Sequence, residues 1–223
     1  MKRVYLDYNA SAPLREEARE AMVHAMALAG NPSSVHAEGR QARAIVEIAR
    51  QQVAAALGAQ GADVIFTSGA TEAAGLALNG RGIRCADIEH EAVSSWCQSD
   101  LSCGSDGGVA CEAPEATALQ LANSETGILQ QLPEGLALCD MTQAFGKLPV
   151  AFHWTGATMA LVSAHKIGGP KGVGALIVKR GTEVAAQIKG GGQEMGRRSG
   201  TENVIGIAGF GAAAEAAQRD LAD

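Results

Sequence analysis

Hydrophobic and polar positions divide the chain into helical segments and short strand-like runs. Helical spacing covers 14–29 and 35–57, and a glycine, Gly30 or Gly58, closes each segment. A third helical pattern covers 70–78, and a last one begins near Asn203. Short apolar runs, most of them followed by a polar or glycine-rich turn, cover 63–68, 83–87, 117–122, 136–139, 158–163 and 173–178.

The alternation of these two kinds of segment predicts an α/β domain whose sheet is mostly parallel and flanked by helices. No internal repeat, low-complexity tract or charge block divides the sequence. The stretch 83–112 is too polar, and its apolar runs are too short, for assignment beyond its first residues. We therefore expect one large domain over 1–223.

Composition narrows the possible partners. The chain has 223 residues, of which 47% are hydrophobic, so it can bury a sizeable core. A net charge of −6 and an aromatic content of 4% argue against a nucleic-acid partner. No apolar run reaches the roughly 18–20 residues of a membrane span, and the N-terminus lacks the apolar core of a signal peptide. We expect a cytoplasmic protein without a membrane partner.

The five cysteines carry no metal-binding spacing. They form no CxxC pair, so we predict no metal site, and their odd number without a signal sequence predicts reduced thiols. Most fit the role of small core hydrophobes, although two of them flank a polar loop and could be exposed. The five are Cys85, Cys97, Cys103, Cys111 and Cys139, and Cys97 and Cys103 are the two beside the loop.

Chemically capable residues follow the predicted strands. Ligands of open parallel sheets bind beyond the carboxyl ends of the strands, so residues at those ends are candidates for a site. Polar residues occur there at 68–71, 89–90, 123, 140–143 and 163–166. Nearly every chemically capable residue of the chain falls at one of these ends, which indicates a ligand site.

The segment TSGATE, 67–72, is a glycine turn that opens a helix. Its first amides lack intrahelical partners, and Thr71 adds a hydroxyl, so the turn suits a phosphate. It is neither a Walker A loop nor GxGxxG, and an ordinary helix N-cap is an equal alternative.

Asp140 and Lys166 also follow apolar runs. An ionised Asp140 at a buried strand end needs a cationic or donor partner, and a protonated pyridine nitrogen is one candidate; capping of a turn is another. Lys166, before GGPKG, is either a surface-loop lysine or an amine nucleophile with a lowered pKa, whereas Lys171 fits a loop cation. A phosphate anchor, an acid for a pyridine nitrogen and an amine together match pyridoxal 5'-phosphate (PLP).

Eight ordered segments strengthen this interpretation. They are YLDYNASAP, NPSSVH, FTSGATEA, EHEAV, NSETG, DMTQAFGKLPV, SAHKIGGPKGVGAL and GGGQEMGRRSGTEN. In this order they resemble the motifs of cysteine desulfurases in the class V aminotransferase family, from about Val4 to about Ala217. The resemblance implies a fold-type I, PLP-dependent homodimer. Such an enzyme takes sulfur from L-cysteine, releases L-alanine and passes the sulfur on as a persulfide. The acceptor would be an iron–sulfur scaffold or another sulfur-acceptor protein.

The resemblance also implies a role for each matching residue. Lys166 would form the Schiff base with PLP, and His90 would stack on its ring and take part in proton transfer. Asp140 would pair with the pyridine nitrogen, Gln143 would hydrogen-bond the phenolic oxygen, and Asn123 would contact cofactor or substrate near the ring. The remaining five residues would bind phosphate: Ala70, Thr71, Ser163 and His165 in the same subunit, and Thr201 across the dimer.

The sequence also departs from the family. Members are usually much longer, with a C-terminal small domain that holds the persulfide-forming cysteine and the arginine for the substrate carboxylate. We expect this small domain to be absent and the arm 1–15 to be the segment that would pack on it. The spacings from His90 to Asn123 and from Asn123 to Asp140 also look short. A fragment, a short homologue and an inactive protein are the alternatives, and selenocysteine lyase, aminotransferase or scaffold roles are alternative functions.

Overall fold

The computed structural model describes residues 3–222, which form five helices and seven strands with single 3-10 turns between them. The helices are α1 (Glu16–Met26), α2 (Ala37–Ala56), α3 (Ala70–Leu78), α4 (Glu91–Ser94) and α5 (Val204–Arg219). The strands are β1 (Asp63–Thr67), β2 (Arg84–Ala86), β3 (Gln98–Leu101), β4 (Ala118–Gln120), β5 (Leu138–Asp140), β6 (Met159–Ser163) and β7 (Gly174–Val178). Within this range every helix is too short or too polar to cross a bilayer.

The main sheet has the strand order β1-β7-β6-β5-β4. Strands β4, β5 and β6 are parallel neighbours, while β7 runs antiparallel to both β6 and β1. Strands β2 and β3 form a separate parallel pair, which a single parallel bridge from Arg84 to Thr117 connects to the start of β4. All strands except β7 therefore point the same way, which confirms the predicted α/β architecture with a mostly parallel sheet.

Helices cover both faces of the sheet, so its central strands are buried throughout. Every residue of β6 and β7 is buried, as the continuous apolar runs of these strands indicate. Helices α1, α2 and α5 lie on one face, where Phe66 of β1 meets Phe210 of α5 edge to face. Helix α3 lies on the other face.

Close packing of α5 depends on its small residues. Helix α5 packs against α1 and α2. A Cβ at Gly211 would lie 2.7 Å from the Cα of Ala49 in α2, closer than a side chain can approach a backbone. The glycine therefore allows the two helices to approach, and this approach closes the core over β1 and β7.

The structure changes three details of the predicted elements. Helix α1 ends at Met26 instead of 29, because Ala27 and Leu28 donate to the carbonyls three residues before them and tighten the last turn. Helix α2 begins after His36, whose Nδ1 accepts from the amide of Gly39. The unassigned stretch 83–112 contains α4 and β3, which have only four residues each and so show no periodicity.

A buried ion pair covers the free edge of β1. The carboxylate of Glu194 accepts from the Phe66 amide at 2.8 Å and from Arg50 at 2.7 Å, and the Arg50 guanidinium also donates to the Val64 carbonyl at 2.5 Å. The Glu194 side chain is only 2% exposed, and its backbone has a φ of 47°. This contact satisfies polar groups of an edge strand and fixes the loop that leads to Thr201.

We predict that Glu194→Gln destabilises the fold by about 3 kcal/mol, because it leaves Arg50 beside the core without its buried counter-charge. The matched control is Glu47→Gln, which removes the other carboxylate at Arg50, 48% exposed, and should cost less than about 1 kcal/mol. Urea unfolding of both variants measures the difference. Equal losses would show that Glu194 has no special role at the edge.

Candidate active site

A cleft of about 500 Å³ opens at the carboxyl edge of the main sheet. Its walls come from the turn after β1, the ends of β4, β5 and β6, and the loop before β7. Eight of the ten residues predicted for the site line this cleft: Ala70, Thr71, His90, Asp140, Gln143, Ser163, His165 and Lys166. Residues that are distant in sequence therefore meet here because the strands that carry them point the same way.

One end of the cleft is formed by the start of α3. Among the described residues no side chain caps this helix, so its first amides remain available to an anion. Thr71 and Ser163 bring hydroxyl groups to the same end. The turn before the helix lies against β7, where a Cβ at Gly174 would lie 2.7 Å from the Cα of Gly69. The glycine in β7 lets this turn pack closely onto the sheet.

An ion pair fixes the first turn of α3. Glu72 accepts from the Ser68 amide at 2.7 Å and from Nε of Arg198 at 2.8 Å. Burial opposes ionisation of this carboxyl, but the bonds from Arg198 and Ser68 prevail and lower its pKa. Arg198 belongs to the segment GRRSGT, so its bond to Glu72 holds this segment against the turn that opens α3.

Asp140 ends β5 and faces the cleft. Its Oδ1 accepts from the Thr142 amide at 2.8 Å. Burial raises the pKa of this carboxyl, whereas the bond from Thr142 and the charges of His90 and Lys166 favour its ionised form. A cationic ligand group beside Asp140 would stabilise the carboxylate further.

Lys166 and Gln143 converge on one oxygen atom. The Lys166 Nζ donates to the Asn9 carbonyl at 2.5 Å, and the Gln143 Nε2 donates to the same oxygen at 3.0 Å. Burial lowers the pKa of the Lys166 amine, and the negative charges of Asp140, Asp7 and Glu125 partly offset this effect. The amine therefore loses its proton more easily than an exposed lysine, and it shares an acceptor with an amide donor.

The two histidines differ in their surroundings. His90 precedes α4, and its Nδ1 accepts from the Ala92 amide at 3.0 Å, so the neutral ring carries its proton on Nε2. His165 is within 3.3 Å of the Ser11 hydroxyl, and burial followed by the charge of Lys166 lowers its pKa. The lowered pKa of His165 favours its neutral ring, and the Nδ1 contact of His90 leaves its Nε2 free to face a ligand.

Asn123 and Thr201 lie outside the lining of the cleft. The Asn123 amide donates to the Ile88 carbonyl, and its Oδ1 accepts from the amides of Glu125 and Thr126. It therefore ties a turn together, although its chain neighbours line the cleft. Thr201 is exposed in an adjoining pocket, beside Arg198. Their predicted contacts with a cofactor stay predictions.

The structure adds residues that sequence analysis did not assign to the site. Lys171, interpreted as a loop cation, lines the cleft. The arm, described here from residue 3 onward, places Asn9 and Ser11 against the site in the same chain. Lys147 donates to the Asn9 side chain at 3.0 Å. The sequence contains one indication of Lys147 and Asn9: they lie in two of the eight segments that resemble the family motifs.

None of the five cysteines lines this cleft in the described part of the chain. All are free thiols; Cys85 and Cys139 are buried, Cys97 is half-buried and Cys103 is exposed. Residues 3–222 also contain no group of three or more side chains arranged to hold a metal ion.

Comparison of the sequence with models of known protein families identifies the family of the chain. A family model described as aminotransferase class-V matches residues 4–99 and 112–221, which is most of the chain. The chain belongs to the class-V aminotransferase family. The interruption of the match lies between His90 and Asn123, where the sequence looks shorter than the family motifs require.

Curated relatives of this class-V aminotransferase chain are named cysteine desulfurases. The chain is 41% identical to one from Frankia sp. (strain EuIK1) and 37% identical to cysteine desulfurase IscS of Dictyoglomus turgidum (strain DSM 6724 / Z-1310). These alignments cover 99% and 97% of the chain but 64% of each relative. The chain thus spans less than two thirds of the length of these relatives.

Solved structures share the fold. A NifS-like protein from Rickettsia africae ESF-5 superposes with a TM-score of 0.91 at 32% identity, covering 99% of this chain and 70% of the other. A structure titled SspA in complex with cysteine gives a TM-score of 0.86 at 29% identity, covering 96% of this chain and 72% of the other. These likenesses confirm the predicted fold class, the α/β fold of fold-type I transferases with a mostly parallel sheet.

One buried acid of this class-V aminotransferase chain lies beside the site without lining it. Glu89 precedes His90 and is 7% exposed. Its Oε1 accepts from the Gln120 amide at 2.9 Å, and its Oε2 has no partner among the described residues. Burial raises its pKa to about 8, with smaller contributions from the charges of Asp140 and Cys85. Glu89 is therefore mostly protonated at neutral pH.

We predict that Glu89→Gln flattens the pH dependence of stability. The folded state of the native chain holds this proton up to about pH 8, whereas the unfolded chain releases it near 4.5. The contribution of Glu89 is thus complete below pH 4.5 and is lost as the pH rises through 8, with a slope of up to about 1.4 kcal/mol per pH unit.

Urea unfolding between pH 5 and 9 tests this prediction, with Glu91→Gln, a change at an exposed neighbour, as control. Glu89→Gln should remove part of the decline in the free energy of unfolding with rising pH, and Glu91→Gln should leave this decline unchanged. Parallel curves for the native chain and the Glu89 variant would contradict a buried, protonated Glu89.

Proposed function

We propose that the cleft binds PLP and that the chain forms the cofactor-binding part of a cysteine desulfurase. The observation that carries this proposal is the convergence of Lys166 Nζ and Gln143 Nε2 on one acceptor oxygen, in a cleft that also holds Asp140 and the start of α3. In place of the Asn9 carbonyl, PLP would offer its carbonyl carbon to the Lys166 amine and its neighbouring phenolic oxygen to the Gln143 amide.

The donor set of the cleft fits the whole cofactor. The first amides of α3 with Ala70 and Thr71, the Ser163 hydroxyl and His165 suit the phosphate. The Asp140 carboxylate, whose pKa burial raises, gains the cationic partner it needs from a protonated pyridine nitrogen. The half-buried Lys166 supplies the amine. A protonated pyridine nitrogen would thus favour the ionised form of Asp140, and a phosphate would accept from the first amides of α3.

The proposed chemistry divides between cofactor and chain. When bound, PLP supplies the electron sink for reactions at the α-carbon of an amino acid. Lys166 would hold the cofactor and take or return a proton at Nζ, and the exposed His90 would stack on the ring and exchange a proton at Nε2. Asn123 would contact cofactor or substrate near the ring, and Thr201 would bind the phosphate of the partner subunit in a homodimer.

The proposed substrate is L-cysteine, which gives L-alanine and sulfur for an acceptor protein in iron–sulfur cluster or thio-cofactor synthesis. The curated relatives named cysteine desulfurases and the neighbour titled with bound cysteine support this choice. The thiol that receives the sulfur comes from outside the described cleft, since none of the cysteines in residues 3–222 lines it. The large-domain assignment of 1–223, the homodimer and the cytoplasmic location stay predictions.

The cleft lining in residues 3–222 contains no cysteine, and this observation fits a second candidate function, a PLP-binding homologue without desulfurase activity of its own. Incubation of the isolated chain with PLP and L-cysteine distinguishes the two functions. A change in the cofactor spectrum on adding L-cysteine supports substrate binding, and an unchanged spectrum supports the second candidate. We expect the isolated chain to release little or no sulfide and L-alanine from L-cysteine, and release at a normal enzymatic rate would contradict this expectation.

We predict that the chain, incubated with PLP and freed of unbound cofactor, shows the visible absorption band of a Schiff base, which Lys166→Ala abolishes because the Schiff base requires a bond between PLP and this amine. Lys179→Ala, which changes an exposed lysine outside the cleft, is the matched control and should keep the band. Absorption spectroscopy of the three proteins measures the effect. A colourless native chain, or a band that survives in the Lys166 variant, would refute the proposed cofactor site.

A further inference from the structure

Lys147 lies beside the proposed cofactor site without lining the cleft. It follows β5 by a turn, and its amine is half-buried. The Nζ donates to the Asn9 Oδ1 at 3.0 Å and also to the Oε1 of Gln143. Nothing in the roles proposed above uses this amine, although it contacts a residue that the site requires.

The contact fixes the direction of the Gln143 amide. An ammonium group has donors only, so the amide must turn its carbonyl oxygen toward Lys147. Its N–H₂ group then faces the opposite way, where it donates to the Asn9 carbonyl at 3.0 Å. If the amide turned over, two donors would face each other at Lys147 and a carbonyl oxygen would face the site. Lys147 thus selects the orientation in which Gln143 can donate to an acceptor such as a phenolic oxygen.

Lys147 also places a second positive charge close to Lys166. The two amines bind different oxygens of the same residue, since Lys166 donates to the carbonyl of Asn9 and Lys147 to its side chain. Burial and the charge of Lys166 lower the pKa of Lys147. Because the two positive charges contact the same residue, each disfavours protonation of the other amine, and their titrations are linked.

Acidic and basic groups both surround Lys166. The charges of Asp140, Asp7 and Glu125 favour its protonated form. The basic groups near it are Lys147, whose pKa burial and the charge of Lys166 lower, and His165 and Lys171, which line the cleft. Lys147 differs from the other basic groups because it shares a hydrogen-bonding residue with Lys166 and holds Gln143 at the same time.

We propose that Lys147 is a positioning residue of the cofactor site, which directs the Gln143 N–H₂ toward the cofactor and keeps the neighbouring Lys166 amine ready to lose its proton. The part concerning the cofactor rests on the proposed function, whereas the part concerning Lys166 can be measured on the chain without PLP.

The first experiment measures the protonation of Lys166 by competitive acetylation. The chain without PLP is treated with trace acetic anhydride from pH 6 to 11, and mass spectrometry follows the peptide that contains Lys166. In Lys147→Met the midpoint for Lys166 should rise by about half a pH unit or more, because the opposing charge is gone. Lys147→Arg should keep the native midpoint, and Lys179→Met is the control for loss of a distant lysine.

The second experiment tests the amide. PLP affinity is measured from the visible absorption of the native chain, Lys147→Met, Gln143→Leu and the double variant. Lys147→Met should bind PLP several-fold more weakly, and most of this loss should disappear once Gln143 is already replaced. Urea unfolding of each variant confirms that the measured chains are folded. A loss of the same size in both backgrounds would show that Lys147 does not act through Gln143.

The outcomes separate this inference from the proposed function. An unchanged Lys166 midpoint in a folded Lys147→Met chain overturns the electrostatic role, and failure of Lys147→Arg to restore the midpoint does the same. If the native chain does not bind PLP at all, the proposed function and the amide role fail together. The acetylation result would still decide whether Lys147 controls the charge of Lys166.

Discussion

The common direction of the strands is the constraint on which the site depends. Strands β1, β5 and β6 all bring their carboxyl ends to one edge of the sheet, so the turn at 67–72, Asp140 and Lys166 meet there. Strand β7, which runs the other way, separates β1 from β6 and fits between them because Gly174 lets the turn after β1 come close. Two ion pairs hold the loop beyond β7 in place. Glu194 binds Arg50 at the free edge of β1, and Arg198 binds Glu72 at the turn after β1.

Burial gives this edge its chemistry. It raises the pKa of the Asp140 and Glu89 carboxyls and lowers that of the Lys166, Lys147 and His165 groups. The cleft therefore disfavours the ionised forms of both acidic and basic side chains. A ligand that carries an anionic and a cationic group would favour these ionised forms again. PLP has these two ends, with a carbonyl group between them that an amine can attack.

Sequence reasoning found the parts of the fold that repeat a pattern. The six apolar runs behind β1, β2, β4, β5, β6 and β7, and the helices α2, α3 and α5, all form close to their predicted bounds. It could not give the direction of β7 or the elements α4 and β3, because strand direction depends on tertiary packing and segments of four residues have no measurable period.

For the site, the strand-end rule gathered eight of the ten predicted residues into one cleft. It could not find Lys147, which lies a turn beyond the end of β5, or Asn9, which precedes every strand; both reach the site only through the folded turn and arm. It also interpreted Lys171 as a loop cation, since the sequence does not show toward which side a loop folds. Glu89 follows a predicted strand, but its burial, and an Oε2 without a partner among residues 3–222, depend on the packing of β4 beside it.

The central claim is that Lys166, among several neighbouring amines, is the one that holds PLP. Sodium borohydride reduction of the chain with PLP fixes the cofactor to the amine that carries it, and peptide mass mapping then identifies that amine. The account predicts the adduct on the peptide that contains Lys166, resolved by fragmentation from Lys171. An adduct on Lys147 or Lys171, or one spread over exposed lysines, would contradict it.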